Sequence, residues 1–425
     1  MKYEVFPSEL KGKVEAPGSK SIAQRMVACA LLAKGETTLI NYPDSDDCKM
    51  ALQVAQSLGA IVTSRGNDVI IKGGFPNSFH AGIRTPKEEI NCGESGLSSR
   101  MFTPIAALYD KEIKINGSGS LLQRPFSDFE KLLPQLGAEC RTNKGLLPLY
   151  VKGPLHSGNV EIEAGQSSQF LTGVILALPK TSKKSKLNVS KLTSRPYIDM
   201  TIEVAAQFGV KIKHHNYEEF NIEGLQNYQP ISAVIPGDWS GASFLMVAGA
   251  LCATEGIFIS NIDHKITQAD NAIIKVLKQA GVYVEELQDG VKVYASPIKS
   301  FEFDATDCPD LFPPIVALAA FADGVSSIKG TKRLTYKESN RAKTLQEEFG
   351  KAGVRIVVRD DEMKVYPGYI RSAVINSHND HRIAMAAAIL GLAGDKITIR
   401  GAECVSKSFP DYFERLITLG ANIQK

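Results

Sequence analysis

Paired cysteines are missing from this chain of 425 residues. The seven cysteines stand singly, without a CxxC pair or a paired spacing, so the sequence gives no sign of a disulfide framework. The histidines lack metal-ligand spacing as well, and this includes the adjacent His214 and His215. We therefore expect reduced thiols, a cytoplasmic location and no metal ion.

An excess of one charge and a membrane-length apolar run are also absent. The chain has 49 Lys and Arg against 46 Asp and Glu, a net charge of +3, which gives no global attraction to nucleic acid or to a membrane. No signal-peptide core follows Met1, and no apolar stretch is long and uninterrupted enough to span a bilayer. The sequence predicts a cytoplasmic globular protein with no nucleic-acid partner and no membrane partner.

A repeat is what the sequence does contain. A helix stop made of small residues, followed by a strand, recurs at intervals of about 70 residues, with its glycine at Gly59, Gly137, Gly209, Gly281, Gly353 and Gly420. Each repeat begins with a strand, continues through a polar turn and has an amphipathic helix that ends at the glycine. The predicted first strands are 37–41, 113–116, 186–190, 257–261, 326–329 and 396–400.

A second and far more apolar helix lies between successive repeats. The predicted helices are 26–32, 101–108, 170–178, 244–251, 315–321 and 383–392. Apolar residues on every side of a helix indicate burial. The sequence therefore predicts an α/β fold in which helices pack inside sheets, with three repeats in each of two domains, because one sheet of so many strands is improbable.

The domain boundary is expected midway along the chain. Turn residues cluster at 228–230 and 236–238, between the third and fourth repeats. The two N-terminal strands, at 3–6 and 11–15, precede the first buried helix, and the sixth repeat lacks a closing strand. We expect the N-terminal strands to pair with the C-terminal half. This predicts one domain at 19–236 and another formed by 1–18 and 237–425, with the active site in the cleft between them.

The starts of the buried helices carry polar residues, and three of them carry cations, Lys20, Arg100 and Arg382. Capping explains Ser and Asp at these positions. It does not explain the cations, because the positive end of the helix dipole repels a cation unless an anion is bound there. The sequence therefore predicts a site for a small polyanion.

The motifs at these positions resemble those of the 5-enolpyruvylshikimate-3-phosphate (EPSP) synthase family. They are PGSKSIAQR at 17–25, SDD at 45–47, QRP at 123–125, SSQF at 167–170, SRPYID at 194–199, KESNR at 337–341, NDHR at 379–382 and KSFPDY at 407–412. Because they occur in the family's order along nearly the whole chain, together they are far more specific than any single motif.

The resemblance implies two domains, each an inside-out α/β barrel of three βαβαββ units, which close on substrate in a monomer. It implies transfer of the enolpyruvyl group of phosphoenolpyruvate to the 5-hydroxyl of shikimate 3-phosphate, without metal or organic cofactor. The residues it assigns to shikimate 3-phosphate are Ser21, Arg25, Ser167, Ser168, Ser194, Tyr197, Asp310 and Lys337. Those it assigns to phosphoenolpyruvate are Lys20, Gly96, Arg124, Gln169, Arg341, Arg382 and Lys407.

This reaction needs a proton delivered to the methylene carbon and another removed from the hydroxyl. We assign the first to Glu338 and the second to Asp310, with Lys20 as a rival proton donor. Glu338 also lies three residues before Arg341, so an ordinary i,i+3 ion pair is the structural alternative.

Two other functions stay open. The enolpyruvyl transferase that acts on UDP-N-acetylglucosamine shares the fold, but it has a cysteine in a mobile loop of its first half, and residues 117–126 contain none. A metabolite-binding protein without activity is the second alternative. It would have no need of Asp310, Glu338 and Lys20 as acid-base groups.

The chain departs from the family near Gly96, which is itself retained. Glu94 stands where the family usually has Asn, and Leu97 and Met101 also differ from its pattern. We expect Glu94 to pair with Arg100 or Arg124. The departures are predicted to weaken binding of phosphoenolpyruvate and of glyphosate, the family's competing inhibitor.

Overall fold

The computed structural model describes residues 1–74 and 87–425, and the chain divides into two compact units. The middle unit is Lys20–Ile235. The terminal unit combines Met1–Ser19 with Pro236–Lys425. Within the described residues, no helix has both the length and the apolar composition needed to cross a membrane.

Buried and amphipathic helices alternate along the described chain. They are α1 (Lys20–Leu32), α2 (Asp46–Ser57), α3 (Gly96–Ala106), α4 (Asp128–Leu132), α5 (Ser168–Ala177), α6 (Arg195–Gln207), α7 (Trp239–Cys252), α8 (Ile273–Gln279), α9 (Phe312–Ala319), α10 (Arg341–Lys351), α11 (His381–Ala393) and α12 (Tyr412–Thr418). The odd-numbered helices are buried on nearly every side, whereas the even-numbered helices bury one face. The existence and burial of the six predicted helices are confirmed, because apolar residues all round a helix leave it no face for water. Three of them, α1, α3 and α7, begin five or six residues before the predicted start, because their first turns carry polar residues that apolarity does not indicate.

The backbone confirms the predicted helix stops. All six marker glycines have positive φ angles, between 76° and 107°. A residue with a Cβ is strained in this left-handed region, so glycine ends each helix at little conformational cost.

The three sheets of the middle unit share one order of strand directions, two parallel strands followed by two antiparallel ones. In sheet order, the first contains Ser232–Val234, Gly35–Ile40, Asp68–Gly73 and Ile61–Arg65. The second contains Glu89–Asn91, Ile113–Asn116, Leu146–Lys152 and Glu139–Asn143. The third contains Asn159–Glu163, Ser185–Ser190, Glu219–Ile222 and Ile212–His215.

The sheets of the terminal unit repeat this order. One contains Gly12–Glu15, Ile257–Ser260, Gly290–Val293 and Val284–Leu287. The next contains Glu302–Asp304, Ser326–Lys329, Glu362–Tyr366 and Arg355–Arg359. The last contains Ala373–Asn376, Ile397–Arg400, Lys2–Val5 and Ile423–Gln424.

The N-terminal strands complete sheets built from the C-terminal half, as predicted. Lys2–Val5 lies antiparallel to Ile397–Arg400, with Lys2 opposite Arg400. Gly12–Glu15 runs parallel to Ile257–Ser260. The pairing supplies edge hydrogen bonds that the shortened sixth repeat cannot make from its own two-residue strand.

Candidate active site

The first turn of α1 carries an ion pair that is largely shielded from solvent. Lys20 Nζ donates to Asp47 Oδ2 over 2.7 Å, and the side chains are 13% and 15% exposed. Asp47 lies in the first turn of α2, where the helix dipole favours a carboxylate. A substrate anion that binds Lys20 therefore competes with Asp47 for the ammonium group.

Arg25 is a buried cation on the next turn of α1, with 1% of its surface exposed. Its guanidinium donates to three neutral oxygens: Thr201 Oγ1 at 2.8 Å, the Ser21 carbonyl at 2.8 Å and the Tyr197 carbonyl at 3.3 Å. Burial lowers the pKa of Arg25 to about 10, which still leaves it charged at neutral pH. Because these acceptors are neutral, the positive charge remains able to attract an anion.

A buried glutamine joins α1 to the start of α3. Gln24 Oε1 accepts hydrogen bonds from Ser95 Oγ at 3.1 Å and Ser98 Oγ at 2.9 Å. Ser95 Oγ also caps α3 by accepting from the Ser98 N–H. Gln24 therefore fixes the helix start that contains Gly96.

Two guanidinium groups lie against the backbone of Gly96. A Cβ placed there would stand 2.5 Å from Arg124 Nη1 and 3.2 Å from Arg100 Nη1. The first of these distances is impossible for a real Cβ, so any larger residue displaces Arg124. The structure thus places Gly96 and Arg124 in contact within the middle unit.

Arg100 has protein partners that account for its place at a helix start. Its Nη1 donates to Gln169 Oε1 and its Nη2 to the Pro125 carbonyl, both over 3.0 Å. The guanidinium lies 4.8 Å from the ring centroid of Phe126 and 5.1 Å from that of Phe170. Aromatic faces and neutral acceptors stabilise a guanidinium. Arg100 thus orients Gln169, and its presence does not by itself require a bound anion.

Of the four serines assigned to shikimate 3-phosphate, Ser21 lies in the first turn of α1, and the other three stand at the starts of α5 and α6. Ser167 caps α5, with its Oγ accepting from the Gln169 N–H, and Ser168 begins the helix. Ser194 precedes α6 with a left-handed φ of 57°. Tyr197 lies in the first turn of α6, and its carbonyl accepts from Arg25. Helix starts of this kind favour phosphate oxygens through their free N–H groups.

In the terminal unit, Arg341 is the centre of a cluster of carboxylates, and its side chain is 1% exposed. Its Nε donates to Asp380 Oδ2 at 2.8 Å, its Nη1 to Asp310 Oδ1 at 2.7 Å and its Nη2 to Glu338 Oε2 at 2.5 Å. Burial acts to lower the pKa of Arg341, but these carboxylates outweigh it and raise that pKa above its ordinary value. The guanidinium therefore stays charged and holds all three acids in place.

Asp310 is held by three cations. Besides Arg341, it accepts from Lys337 Nζ at 3.1 Å and from Arg382 Nη2 at 3.1 Å. Burial lowers the pKa of Lys337, whereas for Arg382 the Asp310 carboxylate outweighs burial and raises the pKa. Asp310 lies in the short turn Pro309–Leu311 that leads into α9. These contacts fix an ionised carboxylate in one orientation, as a general base requires.

Glu338 forms the i,i+3 ion pair that was the structural alternative, but the same guanidinium also holds Asp310. Helical spacing alone does not predict that second contact, because Asp310 is 31 positions away in the chain. The structure therefore brings the two predicted acid-base carboxylates onto neighbouring nitrogens of Arg341.

The start of α11 adds two further groups to the cluster. Asp380 caps the helix by accepting from the Arg382 N–H at 3.0 Å, and it also accepts from Ser339 Oγ at 3.0 Å. Lys407 Nζ donates to the Asn379 carbonyl at 2.6 Å. Lys407 and Arg382, both assigned to phosphoenolpyruvate, are thus anchored by adjacent residues of one turn.

Several residues of these clusters were assigned neither to a substrate nor to catalysis, namely Gln24, Asp47, Arg100, Thr201 and Asp380. Asp47 and Asp380 lie within the motifs at 45–47 and 379–382, which could have indicated them. Gln24 likewise lies within the motif at 17–25, whereas Thr201 lies outside the motifs and its partner Arg25 is distant in the chain.

Glu94 makes a contact that the sequence did not predict. Its Oε2 accepts from the Ser120 N–H at 3.0 Å and from Ser120 Oγ at 3.1 Å. Its pairing with Arg100 or Arg124 stays a prediction. Among residues 1–74 and 87–425, no group of three or more His, Cys, Asp and Glu side chains could hold a metal ion.

Comparison with known proteins gives a family match over nearly the whole chain. The family model described as EPSP synthase (3-phosphoshikimate 1-carboxyvinyltransferase) matches residues 6–416. A 3-phosphoshikimate 1-carboxyvinyltransferase of Clostridium kluyveri is 34% identical over 429 residues, which cover 100% of this chain and 99% of that protein. Another, from Methanosarcina acetivorans, is 34% identical over 434 residues with the same coverage.

Solved structures with similar folds cover the chain from end to end. An EPSP synthase from Acinetobacter baumannii gives a TM-score of 0.83 at 24% identity and covers 100% of both chains. The enolpyruvyl transferase NikO from Streptomyces tendae gives 0.78 at 19% identity and covers 100% of this chain and 98% of its own. These likenesses establish a mixed α/β fold built from several four-stranded sheets.

Proposed function

The chain belongs to the EPSP synthase family, and from this premise we propose how its two clusters of side chains carry out the family's reaction. The enzyme transfers the enolpyruvyl group of phosphoenolpyruvate to shikimate 3-phosphate, in the biosynthesis of aromatic compounds.

We propose that each unit is an inside-out α/β barrel of three βαβαββ units. The same strand order in every described sheet and the alternation of buried and amphipathic helices support this. We also propose that both units act on one pair of substrates and close on them, in a monomer. The chemistry supports this, because the middle unit supplies Arg25 and Gly96 whereas the terminal unit supplies the acid-base carboxylates.

Shikimate 3-phosphate is bound chiefly by the middle unit. Its phosphate group suits the helix starts at Ser167, Ser168 and Ser194. Arg25 provides a buried positive charge that no carboxylate neutralises through its three hydrogen bonds. Ser21 and Tyr197 complete this part of the site, and Asp310 and Lys337 of the terminal unit bind the substrate's hydroxyl side.

Phosphoenolpyruvate is bound by residues from both units, five of which are cations. Lys20, Gly96, Arg124 and Gln169 come from the middle unit, and Arg341, Arg382 and Lys407 from the terminal unit. The nitrogens of Arg341 are already engaged by Asp380, Asp310 and Glu338. We propose that the substrate carboxylate, when it binds Arg341, takes the place of Glu338 on that guanidinium.

This exchange addresses a conflict in the acid-base assignment. A guanidinium at hydrogen-bond distance stabilises an ionised carboxylate, whereas a proton donor must be protonated. When the substrate anion takes the place of Glu338 on Arg341, Glu338 loses its counter-charge and binds a proton more readily. In the addition step, Glu338 then protonates the methylene carbon while Asp310 takes the proton of the 5-hydroxyl. Elimination reverses both transfers: Glu338 takes a proton back from the new methyl group, the double bond forms again, and phosphate leaves with the proton held by Asp310. Lys20 remains the rival donor.

The observation that carries the proposal is that Asp310 and Glu338 share one buried guanidinium. Binding alone gives no reason to hold two carboxylates in an anion site, because they repel the ligand. The test is release of phosphate from phosphoenolpyruvate, assayed with shikimate 3-phosphate and, separately, with UDP-N-acetylglucosamine. Release with the first acceptor alone is expected. Release with the second would indicate the other transferase, and none with either would indicate a binding protein.

A further inference from the structure

A buried carboxylate outside the reacting groups, Glu348, holds the turn that follows the strand Ala373–Asn376. Its side chain is 4% exposed. Glu348 Oε1 lies 2.8 Å from His378 Nε2, and Glu348 Oε2 accepts from the Asn376 N–H at 2.8 Å. Lys351 Nζ, on the same helix, donates to Oε2 at 2.6 Å from a more exposed position.

The helix α10 contacts this turn at two points. Arg341 and Glu348 are seven residues apart, which places both side chains on one face of the helix. Arg341 binds Asp380 at the end of the turn, and Glu348 binds Asn376 and His378 at its beginning. The turn is therefore fixed to a single rigid element.

The backbone of the turn needs such support. His378 and Asn379 have φ angles of 51° and 58°, and two successive left-handed residues that are not glycine persist only where their surroundings enforce them. Within the turn, the His378 N–H donates to Asn376 Oδ1 and the Asn379 N–H to Ser377 Oγ. Glu348 adds a contact from a different element.

The conformation of this turn decides where two substrate-binding cations lie. The Asn379 carbonyl accepts from Lys407 Nζ, and Asp380 accepts from the Arg382 N–H at the start of α11. In the left-handed conformation, the Asn379 carbonyl is directed to Lys407. If the turn relaxed, Lys407 would lose this acceptor.

We propose that Glu348 is a positioning residue for phosphoenolpyruvate, acting through His378 and Asn379 on Lys407 and through the turn on Arg382. The inference rests on the proposed function, because Lys407 and Arg382 have their roles from it. Burial acts to raise the pKa of Glu348, but the contacts with Lys351, His378 and Asn376 lower it overall. The carboxylate is therefore ionised at neutral pH and binds its donors strongly.

Steady-state kinetics of four variants test the proposal, with KM measured for each substrate. Glu348→Gln keeps the side-chain volume and removes the charge. His378→Ala removes the imidazole that contacts Glu348. Because the His378 side chain is 42% exposed, this substitution leaves no buried cavity. His378→Gln restores a donor to Glu348. Lys351→Met is the matched control, because it removes a partner of Glu348 that lies outside the turn.

We expect Glu348→Gln and His378→Ala to raise the KM for phosphoenolpyruvate by about tenfold, because small displacements of binding groups have effects of this order or larger. The KM for shikimate 3-phosphate should stay unchanged. His378→Gln should recover most of the loss, and Lys351→Met should behave as the unmodified enzyme.

An unchanged KM for phosphoenolpyruvate in both Glu348→Gln and His378→Ala would overturn the inference. So would an equal rise in both KM values, or a fall in kcat alone, since these indicate a general loss of structure. Each of these results counts against the inference alone when the unmodified enzyme converts both substrates. If the unmodified enzyme itself does not, the proposed function fails, and this inference fails with it.

Discussion

Replacing Arg341 by methionine should destabilise the terminal unit far more than loss of a surface ion pair would. The substitution keeps much of the side chain's apolar volume but removes the guanidinium that binds Asp380, Asp310 and Glu338. Removing one partner of a buried ion pair leaves a buried charge without compensation, which costs about 3–5 kcal/mol.

The burial of the three carboxylates decides where in this range the free-energy cost of Arg341→Met lies. Asp380 is fully buried, whereas Asp310 and Glu338 are 20% and 17% exposed and can recover some hydration. Asp380 also keeps its hydrogen bonds from Ser339 Oγ and the Arg382 N–H. The loss should therefore lie at the lower end, at about 3 kcal/mol, and should come mainly from Asp380.

Urea unfolding followed by tryptophan fluorescence measures this loss in the terminal unit. The chain has 1 tryptophan, and this residue, Trp239, is buried in the terminal unit. With a slope of about 2 kcal/mol per molar urea, the midpoint should fall by about 1.5 M. Lys343→Met on the same helix is the control, because the Lys343–Glu347 pair is exposed and should contribute about 0.5 kcal/mol or less.

A double-mutant cycle gives the decisive result. In the Asp380→Asn background, Arg341→Met should cost much less, since the buried negative charge is already gone. If the two substitutions were additive, Arg341 and Asp380 would not be coupled. Compensation of the buried Asp380 charge by the Arg341 guanidinium would then be refuted.

Four further predictions follow from the site. Asp310→Asn and Glu338→Gln should fold but lose kcat by about 10²-fold or more; near-normal kcat in either would show that its acid-base role is wrong. Small-angle scattering should show a smaller radius of gyration when shikimate 3-phosphate is bound, and no change at saturation would contradict closure. Glu94→Asn should lower both the KM for phosphoenolpyruvate and the inhibition constant of glyphosate, because an ionised carboxylate repels both anions; if neither falls, Glu94 has no influence on this pocket. The pKa of Glu348 lies below its ordinary value of 4.5, so its stabilising effect is full above that pH and is lost as the pH falls through the folded-state pKa. The stability difference between the unmodified enzyme and Glu348→Gln should therefore shrink below about pH 4.5, and a constant difference in urea midpoints would contradict the assignment.

Local patterns were sufficient to predict the helices and many of the strands. Strands Ile113–Asn116 and Ser326–Lys329 lie where the sequence placed them. The first predicted strand, 37–41, instead ends at Ile40, because Asn41 has a left-handed φ of 56°. The end of this strand depends on one dihedral angle, which the alternation of apolar and polar residues does not specify.

The partners of the site residues could not be predicted in the same way. The motif at 337–341 indicated Glu338 and Arg341, but it gave no sign that Arg341 also binds Asp310 and Asp380. The cation Arg100 was interpreted as a sign of a bound anion, whereas its guanidinium contacts Gln169 and two aromatic rings. Contacts of this kind depend on which helices pack together.

The sequence by itself determined the helix stops, the burial of alternate helices and the identity of the motifs. These properties follow from neighbouring residues, because the φ preference of glycine and the periodicity of apolar residues act within a few positions. Only the tertiary structure decided the register in which Lys2–Val5 pairs with Ile397–Arg400, and that Arg341 joins three carboxylates. Lys2 and Arg400 are neighbours because sheet pairing satisfies their backbone groups, and Asp310 and Asp380 meet at Arg341 because a buried charge must be compensated. Both requirements act through space, on residues that are far apart in the chain.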